Sequence, residues 1–126
     1  MVTAQKQFEA SQWNSPMLLI FSTSPEDRIY RMQREQIDAI GLALEDHHLI
    51  IAEIFENDSG HIGPVELTGD RCREFRMQFH VPTGQFKVVL LGRNSVTHLC
   101  SNDCISWQEL IVRMDEVSEY QIPAVL

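Results

Sequence analysis

Sulfur and imidazole are the first places to look for chemistry in this sequence. Cys100 and Cys104 form a C-x-x-x-C just ahead of a helical pattern that starts near Ser106. Two thiols this close in sequence could cycle between dithiol and disulfide, with Cys104 favoured as thiolate by the positive end of the helix dipole. The spacing is one residue longer than the C-x-x-C of dithiol oxidoreductases. Cys72 falls on an apolar helix face and reads as core. His47 and His48 are adjacent and would diverge on a helix, while His61, His80 and His98 stand alone. No H-x-x-x-H or H-E-x-x-H is present, so no metal is expected and the histidines read as surface residues. Ser22, Thr23 and Ser24 lie close to Asp27, but no G-x-S-x-G elbow surrounds them and no histidine partner can be named. Nucleophilic catalysis is not expected.

The elements that must position these residues can be read from hydrophobic pattern and punctuation. Residues 17–21 (MLLIF) are a continuous apolar run, the mark of a strand buried on both faces. Ser24-Pro25-Glu26-Asp27 reads as a helix start, with Ser24 as N-cap, Pro25 at the first helical position and acids in the first turn. Tyr30, Ile37, Ile40 and Leu44 follow at helical spacing, so a helix over about 25–46 should pack on the sheet. Residues 49–55 (LIIAEIF) are a second buried strand, and the pair makes a parallel βαβ unit. The stretch from Asn57 to Gly69 reads as a loop on its glycines and Pro64. Cys72, Phe75 and Phe79 mark a helix over about 69–79. Residues 86–91 and 96–100 form a hairpin about Gly92-Arg93-Asn94-Ser95. Ser106-Trp107-Gln108-Glu109 has the form of a capping box, with Trp107, Leu110, Met114 and Val117 as the apolar stripe behind it.

The order β-α-β-α-β-β-α is the thioredoxin-like layout: an α/β fold with a four-stranded mixed sheet and helices on both faces. The expected strand order is second, first, third, fourth, with the third antiparallel to the rest. At 126 residues the chain fits one domain, 1–126, with a core over about 17–118 and peripheral segments 1–16 and 119–126. The net charge of −8 repels phosphate backbones and anionic lipid, so neither nucleic acid nor a membrane surface is an expected partner. The odd count of three cysteines argues against a closed disulfide framework and fits a reducing compartment. Residues 1–13 lack the basic start and apolar run of a signal peptide, which makes the default expectation cytoplasmic.

Read whole, the chain resembles a thioredoxin-like domain family of unknown function, related to peroxiredoxins and also found in sushi-repeat extracellular-matrix proteins. The resemblance is carried by Met17–Phe21 followed by Ser24-Pro25-Glu26-Asp27. It continues through Arg76 and Phe79 into Val81-Pro82-Thr83-Gly84-Gln85-Phe86, and ends on Val88-Val89-Leu90-Leu91-Gly92-Arg93. It implies a fold, with adhesion or protein interaction as the suggested role, and it implies no reaction.

Thioredoxin chemistry places its dithiol between the first strand and its helix. Here that segment is Ser22-Thr23-Ser24-Pro25-Glu26-Asp27, without sulfur, so the dithiol mechanism at that site is excluded by composition. The same fold uses a proline before the third strand to bind peptide. Val81-Pro82-Thr83 resembles it, although Gly84 and Gln85 intervene before Phe86, and a plain turn proline is the expected state. The leading expectation is a non-catalytic module that binds another protein. Its binding surface would be a groove formed by Ser22, Thr23, Ser24, Pro25 and Asp27 with Pro82, or an exposed strand edge that could also join two copies. The alternative is an atypical thiol oxidoreductase or peroxiredoxin-like activity using Cys100 and Cys104. No cofactor is expected.

Overall fold

A computed structural model describes residues 15–41, 48–92 and 96–121. The elements are β1 (Met17–Ser22), α1 (Arg28–Ile40), β2 (Ile50–Phe55), β3 (Gly60–Ile62), β4 (Val65–Leu67), α2 (Gly69–Gln78), β5 (Lys87–Leu91), β6 (Thr97–Ser101) and α3 (Trp107–Gln121). They build one mixed sheet of six strands in the order β4-β3-β2-β1-β5-β6.

β1 lies inside the sheet because its side chains are apolar on both faces. Met17 through Phe21 are fully buried, each gaining about 2 kcal/mol by leaving water. β1 pairs in parallel with β2, from Met17↔Ile50 to Ser22↔Phe55, and antiparallel with β5, from Met17↔Leu91 to Phe21↔Lys87. Alternation divides these residues between two cores. Met17, Leu19 and Phe21 join Ala52, Ile54, Cys72 and Phe75 under α2, while Leu18 and Ile20 join Ile37, Ile40, Leu110 and Val117 under α1 and α3.

The sheet has six strands where four were expected. The Asn57–Gly69 stretch, read as a loop, contains the β3–β4 hairpin, whose strands are three residues each. Strands so short carry no readable alternation, and Gly63 and Pro64 supply only the turn between them. Gly60 is required where it stands: a Cβ there would overlap the backbone carbonyl oxygen of Glu53 on β2.

Helix ends differ from expectation for local reasons. α1 begins at Arg28 with Asp27 as its N-cap, not Ser24, because Asp27 accepts from the Ile29 N–H. Pro25 and Glu26 occupy a turn closed by the Asp27 N–H on the Ser24 carbonyl at 3.1 Å. Proline suits the second position of such a turn as well as it suits a helix start. α1 stops at Ile40, where Gly41 adopts φ 65°. Leu44 and His47 lie outside the described residues, as do Arg93, Asn94 and Ser95.

α2 starts on Thr68, whose side chain accepts from Arg71 N. It ends at Gln78 with Phe79 as its C-cap, and His80 follows at φ 58°, while Val81 N donates to Arg76 O at 2.8 Å and His80 N to Met77 O. This is the left-handed helix stop usually made by glycine. In α3, Glu109 N donates to Ser106 Oγ at 3.2 Å, half of the expected capping box. Leu110, Met114 and Val117 are buried, but Trp107 is 38% exposed and does not join the core. Its backbone N–H is instead held by Gln36 Oε1 at 2.9 Å, at the margin of α1.

Candidate functional site

The β1–α1 junction is a closed polar knot. Ser22, at the end of β1, is almost fully buried, and its hydroxyl donates to Asp27 Oδ2 at 3.0 Å. The Thr23 hydroxyl donates to the same oxygen at 3.1 Å, and Asp27 Oδ1 caps Ile29 N at 3.3 Å. Ser24 Oγ accepts from Glu26 N at 3.3 Å within the turn. The carboxylate orients both hydroxyls as donors to one oxygen while its other oxygen caps the helix. It also supplies negative charge where an anionic ligand would otherwise meet the helix N-terminus.

Pro82 follows the α2 stop, and its peptide bond with Val81 is trans. The Pro82 loop and the Ser22–Thr23 segment are tied together by Glu56, just past β2. The Glu56 N–H donates to the carbonyls of Ser22 at 3.0 Å and Thr23 at 3.2 Å. Its carboxylate accepts from Arg76 Nη2 at 2.8 Å and from Gly84 N at 3.1 Å. Arg76 Nη2 also reaches the Val81 carbonyl at 3.4 Å. Glu56 and Arg76 line a polar cavity of about 480 Å³ together with Asn57, Asp58, Ser59, Gly69 and Arg73. Sequence reasoning did not single out Glu56. The signal available was an acid directly after an apolar strand with an arginine on the following helix.

The cysteines are free. Cys72 is buried beside Gly60, and desolvation pushes its thiol pKa up. Cys100 is exposed on β6. At Cys104 the expected helix-dipole activation is overridden: burial, then the Glu35 carboxylate, raise the thiol pKa. A thiol held in its protonated form is a poor nucleophile.

His61 is more than a surface histidine. It stands opposite Glu53 in the β2–β3 register, and its Nε2 lies 2.8 Å from Glu53 Oε1. Glu53 is 6% exposed in an otherwise apolar strand. Its other oxygen accepts from the Tyr30 hydroxyl at 2.7 Å and Arg34 Nη1 at 3.3 Å. Burial, then the Glu53 bond, raise the Tyr30 phenol pKa. The acid inside LIIAEIF was the signal for this cluster. Among the described residues no group of three or more His, Cys, Asp or Glu side chains is arranged to hold a metal.

The elements and this geometry define a mixed α/β protein with one sheet covered by helices. The chain belongs to the family described as a domain of unknown function, DUF4174, whose model matches residues 7–120. It is 30% identical over 83 residues, 64% of its own length, to sushi repeat-containing protein SRPX2 of Xenopus laevis. The chain spans about 18% of the length of that curated relative. It also resembles the solved structure of a malarial protein, with a TM-score of 0.58 over 81% of this chain and 96% of that one. The identity there is 14%, so the likeness concerns the fold alone. No helix among the described residues is long and apolar enough to cross a membrane.

Proposed function

We propose that this chain is a thioredoxin-like module whose redox site has been replaced by a structural cap and whose role is to bind another protein. The observation that carries the reading is the Asp27 knot, in which the hydroxyls of Ser22 and Thr23 and the Ile29 N–H all serve one carboxylate. The fold assignment is supported by the strand run β2-β1-β5-β6, with β1 parallel to β2 and antiparallel to β5. On this reading β3 and β4 are an addition at one edge.

The binding face would extend from the Ser22–Asp27 segment along α1. Ile29 and Met32 lie three residues apart on α1 and are 37% and 45% exposed, and Trp107 is 38% exposed. Trp107 joins this flank because its N–H is bonded to Gln36, one turn beyond Met32. Apolar and aromatic side chains beside a rigid polar knot are the composition of an interface centre.

The experiment is capture of partners from native lysate with and without reductant, using wild type and Met32→Glu/Trp107→Glu. A partner held regardless of reductant and lost in the variant is the expected result. Partners trapped covalently and released by reductant would overturn the reading. So would insulin reduction by the wild type that disappears in Cys100→Ser/Cys104→Ser.

A further inference from the structure

We propose that the β3–β4 hairpin is held to the sheet by a proton-dependent latch at His61. The hairpin meets β2 over a short register, Ala52↔Ile62 and Glu53↔His61, extended by one backbone bond from Gly63 N to Ile51 O at 2.9 Å. Both nitrogens of the His61 ring face acceptors. Nδ1 lies 3.1 Å from the Gly63 carbonyl oxygen, and Nε2 lies 2.8 Å from Glu53 Oε1.

A neutral imidazole carries one N–H, so it can satisfy only one of these acceptors and sets a lone pair against the other. One further proton, shared between His61 and Glu53, makes both hydrogen bonds at once. The first fixes the β3–β4 turn and the second joins that turn to β2. Glu53 Oε2 is already occupied by Tyr30 and Arg34 from α1. This leaves Oε1 as the oxygen facing the ring.

Among the described residues, the groups around the ring come from β2, β4 and α1. Glu53 faces it from β2, and Glu66 stands directly opposite it in the β3–β4 register. Tyr30 and Arg34 reach it from α1 through Glu53, and Asp38 is paired to Arg34 at 3.2 Å. Hairpin order is therefore greatest when both ring nitrogens carry protons and falls when only one does. Asn57, Asp58 and Ser59, which line the polar cavity, lead into β3.

Hydrogen exchange of the amides over 60–67 tests this, compared at pD 5.5 and 8 after correction for intrinsic rates. Protection in the wild type should fall about fivefold at the higher pD, the equivalent of one hydrogen bond. His61→Gln should remove that step. Equal protection at both pD values, or the same step in His61→Gln, would overturn the proposal. If the variant does not fold, nitrogen shifts of the wild-type ring decide. Both nitrogens carrying protons at acid pH, with Gly63 shifting in parallel, supports the latch. A ring that gains or loses a proton without any response at Gly63 refutes it.

Discussion

Arg76 Nη2 lies 2.8 Å from Glu56 Oε2, with 12% and 14% of the two side chains exposed. One carboxylate thereby fastens α2 to the end of β2. Because it also takes the Gly84 N–H, it holds the Pro82 loop beside the end of β1. Removing the cation leaves a mostly buried carboxylate that has lost its charged partner. Arg76→Met should cost about 3 kcal/mol in urea unfolding. Glu56→Gln/Arg76→Met should cost clearly less than the sum of the two single changes.

The position of the helix cap distinguishes two neighbouring residues. Asp27→Ala removes the cap of α1 and the acceptor of two hydroxyls, one of them buried, so a loss of about 2 kcal/mol is expected. Ser24→Ala removes only a bond within an exposed turn and should change stability by less than about 0.5 kcal/mol. Thermal unfolding of the two variants side by side measures the contrast. Equal losses would return the cap to Ser24.

Gln33 is a fully buried polar side chain on α1. Its amide donates to Ile105 O at 3.0 Å and accepts from Ile105 N at 2.8 Å. Gln33→Leu keeps the apolar volume but strands both backbone groups, at a cost of about 3 kcal/mol. Chemical denaturation reads that loss, and hydrogen exchange at Ile105 should rise with it.

Thiol labelling should follow exposure and charge. Cys100 should react first with iodoacetamide at neutral pH, Cys104 more slowly and Cys72 slowest. The latter two have raised thiol pKa values from burial, with Glu35 adding to the effect at Cys104. Mass-mapped labelling orders the three, and Cys104 reacting ahead of Cys100 would contradict this account.

Tyr30 sets an alkaline limit. Its folded phenol pKa lies above the ordinary value of 10.0 because burial and then Glu53 disfavour the phenolate. The folded state thus holds this proton more tightly than the unfolded chain does. The resulting stability is complete below about pH 10 and is lost as pH rises beyond it. Tyr30→Phe should cost about 1 kcal/mol at neutral pH and flatten the decline above pH 10. Unfolding free energies from pH 7 to 11 for both proteins measure the difference.

Much of the fold was legible because hydrophobic periodicity is a local property. The runs at 17–21 and 49–55 had to be buried on both faces, and β1 and β2 form the parallel pair they implied. Leu110, Met114 and Val117 faced the core as their spacing required. The β3–β4 hairpin was hidden because three-residue strands among glycines look like loop. Trp107 misled because its position fitted the stripe, while the approach of Gln36 to its backbone left the ring at the margin.

The polar architecture was not legible in the same way. Gln33 and Ile105 are 72 positions apart, and Tyr30 is 23 positions from Glu53. No spacing rule links such residues until the sheet and helices bring them together. By itself the sequence determined the buried strands and the absence of sulfur between β1 and α1, since composition and period are properties of a segment. Only the tertiary structure decided that Asp27 rather than Ser24 caps the helix, that Glu56 joins the Pro82 loop to β1, and that Glu53 meets His61. Those outcomes depend on which polar groups lose water together, and desolvation is settled by packing.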